Sequence, residues 1–495
     1  MTEFRDHQPI VIEEFNGLWK RGDADSTPQD HFSDCNNIAF IQGGFRTRDG
    51  IDTYTALPDA VRLYTFTKQF GQSLIVLDSS GNFWDTDFLG SPILTIPSAT
   101  DFGFVSYAGR GYITPTDGLS GIPNEFVYVY LGDGTAARKA AGEPPVDADG
   151  ALSAANSGSA GNVEAGIHIF AVVYETDTGF LSQLGPDTLP FVTAPGGEGV
   201  NLTNVPVSPS PYVVKRHVVA TKFILPADYT GDTRGYQFFF VPDAIIANNT
   251  GTTITVSFFD SELLEDASYL LDILPEIPAG LGLSTYHNRL ISYGEYGNAS
   301  LIRISAPGEP EAFDAVSGLV IFPLDGQHVQ NVQEFRDVMY GFKITKTNAW
   351  TDNGDVPSSW PMTVLDQGLG SVLHGVTKVL DSEGVNVDYL IVAGYSGIYL
   401  FNGAYQSPEL SYKIKDFWLA LDRSKFIKLQ SINDTILQIV YIVLGDGTML
   451  IVDWSNGLTF KDVRFSPWTF DINIRAVTLI DQNNLIIASD GTEVG

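Results

Sequence analysis

The sequence is poor in cysteine and in long apolar runs. Its one cysteine, Cys35, excludes an intramolecular disulfide and a cage of thiolate ligands around a metal. We expect a buried or half-buried thiol there. No stretch approaches the roughly twenty apolar residues that a membrane span requires, so we predict no such span. The opening MTEFRDHQPIVIEEF lacks the apolar core of a signal peptide, so we expect no export by the general secretory route.

Basic residues are also scarce. The 495 residues include 59 Asp and Glu against 28 Lys and Arg, which gives a formal net charge of −31. Such a surface repels nucleic acid and anionic membranes unless a local basic patch exists, and no run of Lys and Arg supplies one. The charge therefore argues against stable binding of nucleic acid.

The motifs of common catalytic sites are missing. The histidines are scattered at positions 7, 31, 168, 217, 287, 328 and 374, with no pair at metal-ligand spacing. There is no Gly-x-Ser-x-Gly elbow, no Walker loop and no dinucleotide fingerprint. We therefore predict no catalytic residue, no cofactor and no metal site, and a protein that is not an enzyme.

Three short stretches match functional motifs incompletely. LDSSGNFW (77–84) is distantly similar to the Asp-box of sialidases, but Ser79 stands at the Asp position and Phe83 at the Thr position. RGDADS at 21 contains an Arg-Gly-Asp tripeptide, and its Asp23 and Asp25 suit a turn better than a calcium loop. VDADGA at 146 is interpreted as a solvated loop for the same reason.

Short strands separated by Gly-containing turns are abundant. In LIVLDSSGNFW, residues 74–77 predict a strand, 78–82 a turn and 83–84 the start of the returning strand. The pattern returns in VYVYLGDGT at 127, LIVAGYSGIYLFNG at 390, IVYIVLGDGTMLIVDW at 439 and LIIASDGTEVG at 485. Because sustained helical periodicity is almost absent, the chain is predicted to be all-β.

The spacing of these hairpins predicts a β-propeller. Units of roughly 40 to 50 residues match four-stranded blades, and a lone hairpin cannot bury its apolar face without neighbours. We predict about seven blades, with a strand near residues 40–65 closing the last one. The alternative is a multi-sheet sandwich with unrelated hairpins.

The middle of the chain departs from the repeat. KAAGEPPVDADGALSAANSGSAGN, from 139, is predicted to be a linker or long loop, and the alternating runs after it predict a small antiparallel β-sandwich. The predicted organisation is an N-terminal segment with the first blades (1–139), an inserted sandwich with linkers (140–280) and the remaining blades (281–495). Deleting the insert is expected to leave a folded propeller.

Residues 15–51 resemble the opening of a known family. FNGLWKRGDADSTPQDHFSDCNNIAFIQGGFRTRDGI is similar to tail hub or nozzle proteins, also called tail accessory or stabilisation proteins, of short-tailed double-stranded DNA bacteriophages. The matching positions are Gly17, Leu18, Asn36, Asn37, Ile38, Phe40, Arg48 and Gly50. Residues 288–314 look like a blade of such proteins, and the insert is similar to a fibronectin type III module.

The resemblance implies a structural role in a virion tail. It implies a homo-oligomeric ring, expected to be a hexamer, below the portal and adaptor proteins. The ring would conduct DNA during ejection without binding it specifically and would carry tail fibres or spikes. The chain would be made in the cytoplasm of the host bacterium, and the resemblance implies no catalytic residue. We expect residues 1–55 to serve assembly more than core folding.

Two other readings stay open. An extracellular carbohydrate-binding or glycan-cleaving propeller would stack Trp and Tyr rings on sugars and use paired carboxylates as acid and base. A propeller adaptor for cellular proteins is a further alternative, although the sequence has no Trp-Asp or Kelch signature.

Overall fold

The computed structural model describes residues 15–21, 27–28, 31–41, 44–48, 50, 52–55, 57, 59–117, 125–147, 150–192, 197–321, 325–366, 368–380, 387–403, 408–481 and 484–489. The chain divides into two compact units. Unit 1 comprises Met1–Arg138, Pro278–Arg303 and Gly318–Gly495, and unit 2 comprises Lys139–Ile277 and Ile304–Ser317.

Unit 1 begins with a hairpin of β1 (Ile38–Ile41) and β2 (Gly44–Thr47). Two four-stranded antiparallel sheets follow, named blades 1 and 2. Blade 1 consists of β3 (Ala60–Thr67), β4 (Gln72–Asp78), β5 (Asn82–Asp85) and β6 (Leu94–Thr95). Blade 2 consists of β7 (Asp101–Tyr107), β8 (Arg110–Thr116), β9 (Tyr128–Tyr130) and β10 (Arg138–Lys139).

Unit 2 contains two three-stranded sheets and one pair of short strands. The strands are β11 (Ser153–Val163), β12 (Ile167–His168), β13 (Phe170–Thr176), β14 (Phe191–Val192), β15 (Glu198–Thr203), β16 (Val213–Thr221), β17 (Phe238–Ile246) and β18 (Thr253–Val256). The sheet orders are β11-β15-β18 and β13-β16-β17, with β12 paired to β14. Side chains of both larger sheets, such as Val200 and Val172, share one buried core. Unit 2 is therefore the predicted antiparallel β-sandwich, while its likeness to fibronectin type III stays a prediction.

The chain then adds five more sheets, whose strands lie in unit 1 except for Ile304–Ser317, which belongs to unit 2. Blade 3 is β19 (Gly282–Tyr286), β20 (Arg289–Glu295), β21 (Asn298–Ala306) and β22 (Glu309–Val320); blade 4 is β23 (Asn331–Phe335), β24 (Val338–Phe342), β25 (Thr347–Trp350) and β26 (Met362–Asp366). Blade 5 is β27 (Val376–Leu380), β28 (Val387–Gly394) and β29 (Gly397–Phe401). Blade 6 is β30 (Gln430–Asp434), β31 (Ile439–Val443), β32 (Met449–Asp453) and β33 (Arg464–Trp468), and blade 7 is β34 (Ile474–Ile480) and β35 (Asn484–Ser489).

The first strands of the seven blades form a closed ring. Contacts join β3 to β7, β7 to β19, β19 to β23, β27 to β30, β30 to β34 and β34 back to β3, while β23 reaches blade 5 through β28. Neighbouring blades bury their apolar faces against each other, as Leu63 of blade 1 does with Ala476 and Ile480 of blade 7. The prediction of an all-β chain with a propeller of about seven blades is confirmed.

Helices are short in the described part of the chain. One α-helix, α1 (Lys415–Ala420), follows blade 5. The 3-10 helices are Thr233–Gly235, Asp260–Glu262, Ser268–Leu271, Pro357–Ser359, Leu410–Ile414 and Arg423–Lys428. None of the described helices has both the length and the apolarity that crossing a membrane would take.

Three sequence-based expectations are corrected. The Ala/Ser/Gly-rich stretch predicted as a linker contains the strand β11, whose pairing with β15 is interrupted by two register shifts. Residues 304–317, assigned to the blades, belong to unit 2. The described strands of residues 40–65 do not close blade 7, because β1 pairs with β2 and β3 starts blade 1.

Candidate functional site at the propeller axis

The centre of the ring is occupied by polar side chains from four blades. Arg62 and Tyr64 come from β3, Asp101 begins β7, His374 precedes β27 by two residues, and Gln430 begins β30. We call these five residues the axial network. Alternation along a strand sends every second side chain to the same face, so Arg62 and Tyr64 point the same way.

Hydrogen bonds link the network across the axis. Arg62 and Asp101 form a bidentate pair with N···O distances of 2.6 and 3.0 Å, and Arg62 Nη1 donates to Gln430 Oε1 at 3.1 Å. His374 Nε2 lies 3.2 Å from Asp101 Oδ2, and Tyr64 Oη lies 2.9 Å from His374 Nδ1. Blades 1 and 2 are thereby joined to blades 5 and 6 on the opposite side of the ring.

Burial sets the protonation states. Burial raises the pKa of the Tyr64 hydroxyl far above its ordinary value, and burial lowers the pKa of His374. Burial alone would raise the pKa of Asp101, but Arg62 and His374 hold the pKa of this carboxyl well below its usual range. At neutral pH a neutral His374 donates from Nε2 to Asp101 and accepts at Nδ1 from the Tyr64 hydroxyl.

The hydroxyl–imidazole–carboxylate order has the connectivity of a general-base relay. The raised pKa of Tyr64 keeps its proton on the oxygen at neutral pH, so the hydroxyl is a poor nucleophile. The side chains of Arg62 and Asp101 are only 3% and 6% exposed. The arrangement suits a buried crosslink that closes the axis, because each charge has its partner and each polar atom its hydrogen bond.

Two cavities lie on either side of this network. One, of about 360 Å³, is lined by Arg62 and Asp101 together with Ser79, Thr100, Lys428 and Arg475 among others; we call it the basic axial cavity. The other, of about 140 Å³, is lined by Tyr64, His374 and Gln430 among others. The axial network is the wall between them.

A group that could hold a divalent cation lies away from the axis, in blades 3 and 4. His287, in the turn after β19, Glu334 of β23 and Asp337, in the turn after β23, each offer one ligand atom within 4.8 Å of the others. His287 Nδ1 also lies 3.9 Å from Asp352 Oδ2. Inspection of the sequence missed this group because its members come from different hairpins and have no fixed spacing.

The residues that carry the family resemblance anchor onto the outer strand of blade 6. The Leu18 amide donates to the Phe465 carbonyl oxygen at 3.0 Å, and Leu18 is 1% exposed. Arg48 Nε donates to Asn37 Oδ1 at 3.2 Å, and Arg48 Nη2 donates to the Thr469 carbonyl oxygen at 3.2 Å. These residues therefore hold a segment in place within unit 1.

Cys35 is buried, as the sequence predicts, and burial raises the pKa of its thiol to about 11. In the Asp-box-like stretch, the side chain that organises the turn is Asp78 and not Ser79. Asp78 accepts hydrogen bonds from the backbone of Ser80 and Asn82 and from the Trp84 indole. The stretch is thus a structural turn.

The other motif residues are placed as follows. His168 is buried and bonds to the Thr221 carbonyl, and His217 lies 2.6 Å from Glu175. His31 packs edge-on to Trp19, and burial lowers the pKa of His328. His7, Asp23 and Asp25 lie outside the described residues. In VDADGA, Asp147 Oδ1 accepts from the Leu152 amide at 3.3 Å.

No protein-family model and no curated protein matches the sequence. Solved structures give similarities at low identity. The chain is 10% identical to the computationally designed Ika8 protein, over 89% of this chain and 96% of that one, with a TM-score of 0.35. It is 8% identical to a chain of the BBS1N–ARL6DN complex (90% and 93% covered, TM-score 0.37) and 7% identical to the RRP9 WD40 repeats (88% and 92% covered, TM-score 0.32).

Proposed function

We propose that this chain is a structural component of the tail of a short-tailed double-stranded DNA bacteriophage. It would form the hub or nozzle ring below the portal and adaptor and present surfaces for fibres or spikes. The proposal is carried by residues 15–51, whose resemblance to that family falls on positions that anchor the segment to blade 6. Asn37 and Arg48 both contact Thr469, and Leu18 lies in the core of blades 5 and 6.

In this proposal the work is done by interfaces and no reaction is catalysed. The axial network supports a non-catalytic role, because its hydroxyl, imidazole and carboxylate are hydrogen-bonded to one another inside the fold.

DNA would pass between copies of the chain and not through the propeller. A duplex cannot enter an axis that is crossed by the buried Arg62–Asp101 pair. A hexameric ring would carry about −186 formal charges (6 × −31), and acidic groups facing its lumen would repel phosphates and lower adhesion. The ring would thus conduct DNA without binding it specifically, and the site of action would be the virion tail after synthesis in the host cytoplasm.

The test is quantitative mass spectrometry of gradient-purified, DNA-filled particles from the source culture. A ratio of about six chains per particle, measured against the major capsid protein, is the expected result for a closed ring. Native mass spectrometry of the purified chain should show the same oligomer, or a monomer that assembles when adaptor is added. Absence of the chain from filled particles would refute the tail role.

A second candidate function is carbohydrate binding, favoured by a cavity beside blades 6 and 7. This cavity of about 980 Å³ is lined by Tyr441, Trp468 and Phe470, and aromatic rings of this kind stack on sugars. Three carboxylates line this cavity, those of Asp52, Asp453 and Asp481. Asp453 is buried against Arg464 at 2.8 Å, which leaves that one poorly placed for acid catalysis. Binding of host polysaccharide that is lost in Trp468→Ala would support this candidate over the tail role.

A further inference from the structure

Free cations are unexpected in a chain with twice as many acidic as basic residues. Most basic side chains of the described residues are engaged in ion pairs, hydrogen bonds or ring contacts, as Lys343 is with Asp325 and Arg303 with Glu295. Lys428 and Arg475 make no such contact with any part of the chain that the structure describes. Both line the basic axial cavity, where Arg62 is the third cation.

Local backbone geometry directs two of these cations to the same place. The pairing of β34 with β35 shifts register between Ile474 and Ala476, so Arg475 lies in a bulge. The pairing of β3 with β4 shifts between Ala60 and Arg62, at the same end of the adjacent first strand. Bulges re-aim side chains and are common beside binding sites. Here they flank one cavity from both sides.

The remaining lining groups suit an anion. Thr100 offers a hydroxyl donor, while the Ser79 hydroxyl donates to Asp59 Oδ2 at 3.3 Å and can accept from a protonated ligand oxygen. Of the two carboxylates that line the cavity, Asp101 is already neutralised by its bidentate pair with Arg62. Lys428 and Arg475 therefore bring two positive charges against Asp117, and the volume of about 360 Å³ admits a small organic molecule.

We propose that the basic axial cavity binds a small oxyanion-bearing ligand, with Arg475 and Lys428 holding its phosphate or carboxylate group. The arginine fork pairs with such a group through two parallel hydrogen bonds, and the lysine adds a point charge. The Thr100 hydroxyl donates to the rest of the ligand. This site does not depend on the tail role.

The test uses the purified full chain and two probes, inorganic phosphate and citrate, titrated by calorimetry at constant ionic strength. The expected result is saturable binding of at least one probe, and the comparison of the two tells phosphate from carboxylate preference. Loss of one charge-assisted contact in Arg475→Gln or Lys428→Gln should weaken binding about tenfold or more. Neither variant should lower the melting temperature of the free protein, because neither side chain has a partner to lose.

Lys425→Gln is the matched control. Lys425 lies in the same 3-10 helix as Lys428 and is exposed, but it does not line the cavity. This variant should bind the probes as the parent chain does. The proposal is overturned if neither probe binds saturably at about 10 mM, a very weak affinity on any scale of specific binding. It is equally overturned if Arg475→Gln and Lys428→Gln bind as tightly as Lys425→Gln.

Discussion

At the scale of single residues, the Arg62–Asp101 pair is the most consequential contact of the axis. In Asp101→Ala the Arg62 charge stays buried without its partner, so we expect the free energy of unfolding to fall by about 3–5 kcal/mol. The double variant Arg62→Met/Asp101→Leu should lose less, because two apolar side chains leave no charge uncompensated. Urea unfolding followed by tryptophan fluorescence measures both.

The exposed pair Lys20–Asp34 provides the control for this prediction. Its atoms lie 3.8 Å apart and the Asp34 side chain is 88% exposed. Asp34→Asn should therefore change stability by less than about 1 kcal/mol. Equal losses in Asp34→Asn and Asp101→Ala would show that burial of the axial pair carries no special weight.

His374 gives the axis a pH dependence. Burial lowers its folded-state pKa below the unfolded value of about 6.5, so the unfolded chain binds the proton first as pH falls. Its stabilising contribution is complete above about pH 6.5 and declines as pH falls toward the folded-state pKa. His374→Asn, chosen because Asn tolerates the backbone φ of 56°, should flatten this part of the stability curve.

The prediction is tested by urea unfolding midpoints measured between about pH 7.5 and about pH 5. This range extends roughly one pH unit or more to each side of the unfolded-state histidine pKa of about 6.5. His328 also has a pKa lowered by burial, so part of the slope should remain in His374→Asn and become smaller still in His374→Asn/His328→Gln. An unchanged slope in the double variant would contradict the assignment.

At the scale of elements, the turn between β4 and β5 depends on one carboxylate. Asp78 accepts from the amides of Ser80 and Asn82 and from the side chains of Asn82 and Trp84. These hydrogen bonds overcome burial and hold the pKa of Asp78 below its usual value. Asp78→Ala should cost about 2–3 kcal/mol, because several donors lose a charged acceptor. Ser79→Ala, at an exposed neighbouring side chain, should cost less than about 0.5 kcal/mol in the same denaturation assay.

At this scale, the sequence predicted the elements that are formed by residues close together in the chain. The hairpin of β4 and β5 and the later hairpins follow from apolar runs and turn residues within about a dozen positions. Strand β11 was missed because Ala, Ser and Gly have little strand propensity. Its strand conformation comes from pairing with β15, which is about forty residues away in the chain. The axial network was missed because its partners are far apart in the chain, His374 and Asp101 by 273 positions.

At the scale of the whole molecule, two of the described residues near the N-terminus are part of the propeller core. Leu18 and Cys35 belong to the buried core of blades 5 and 6, which revises the expectation that residues 1–55 serve assembly more than folding. Leu18→Ala should lower the free energy of unfolding by about 2–5 kcal/mol, as large-to-small core changes do. Phe45→Ala, at a side chain 42% exposed, should cost less. Comparable, small losses in both variants would restore the original expectation.

The division into two units predicts which deletion leaves a folded propeller. Replacing residues 139–277 by a short Gly/Ser linker keeps every strand of the axial ring. Residues 304–317, the tip of the β21–β22 hairpin, also belong to unit 2 and would remain without the rest of that unit. Ala312 and Phe313 in that tip are only 4% and 1% exposed in the full chain. We therefore expect the simple deletion to aggregate, because a buried aromatic becomes exposed on a long hairpin.

A second deletion that also replaces 304–317 by a tight turn should stay soluble and unfold in one cooperative transition by calorimetry. If the trimmed form melts without a cooperative transition, the propeller does not fold without unit 2; if the untrimmed form is equally soluble, the tip does not need unit 2 to cover it.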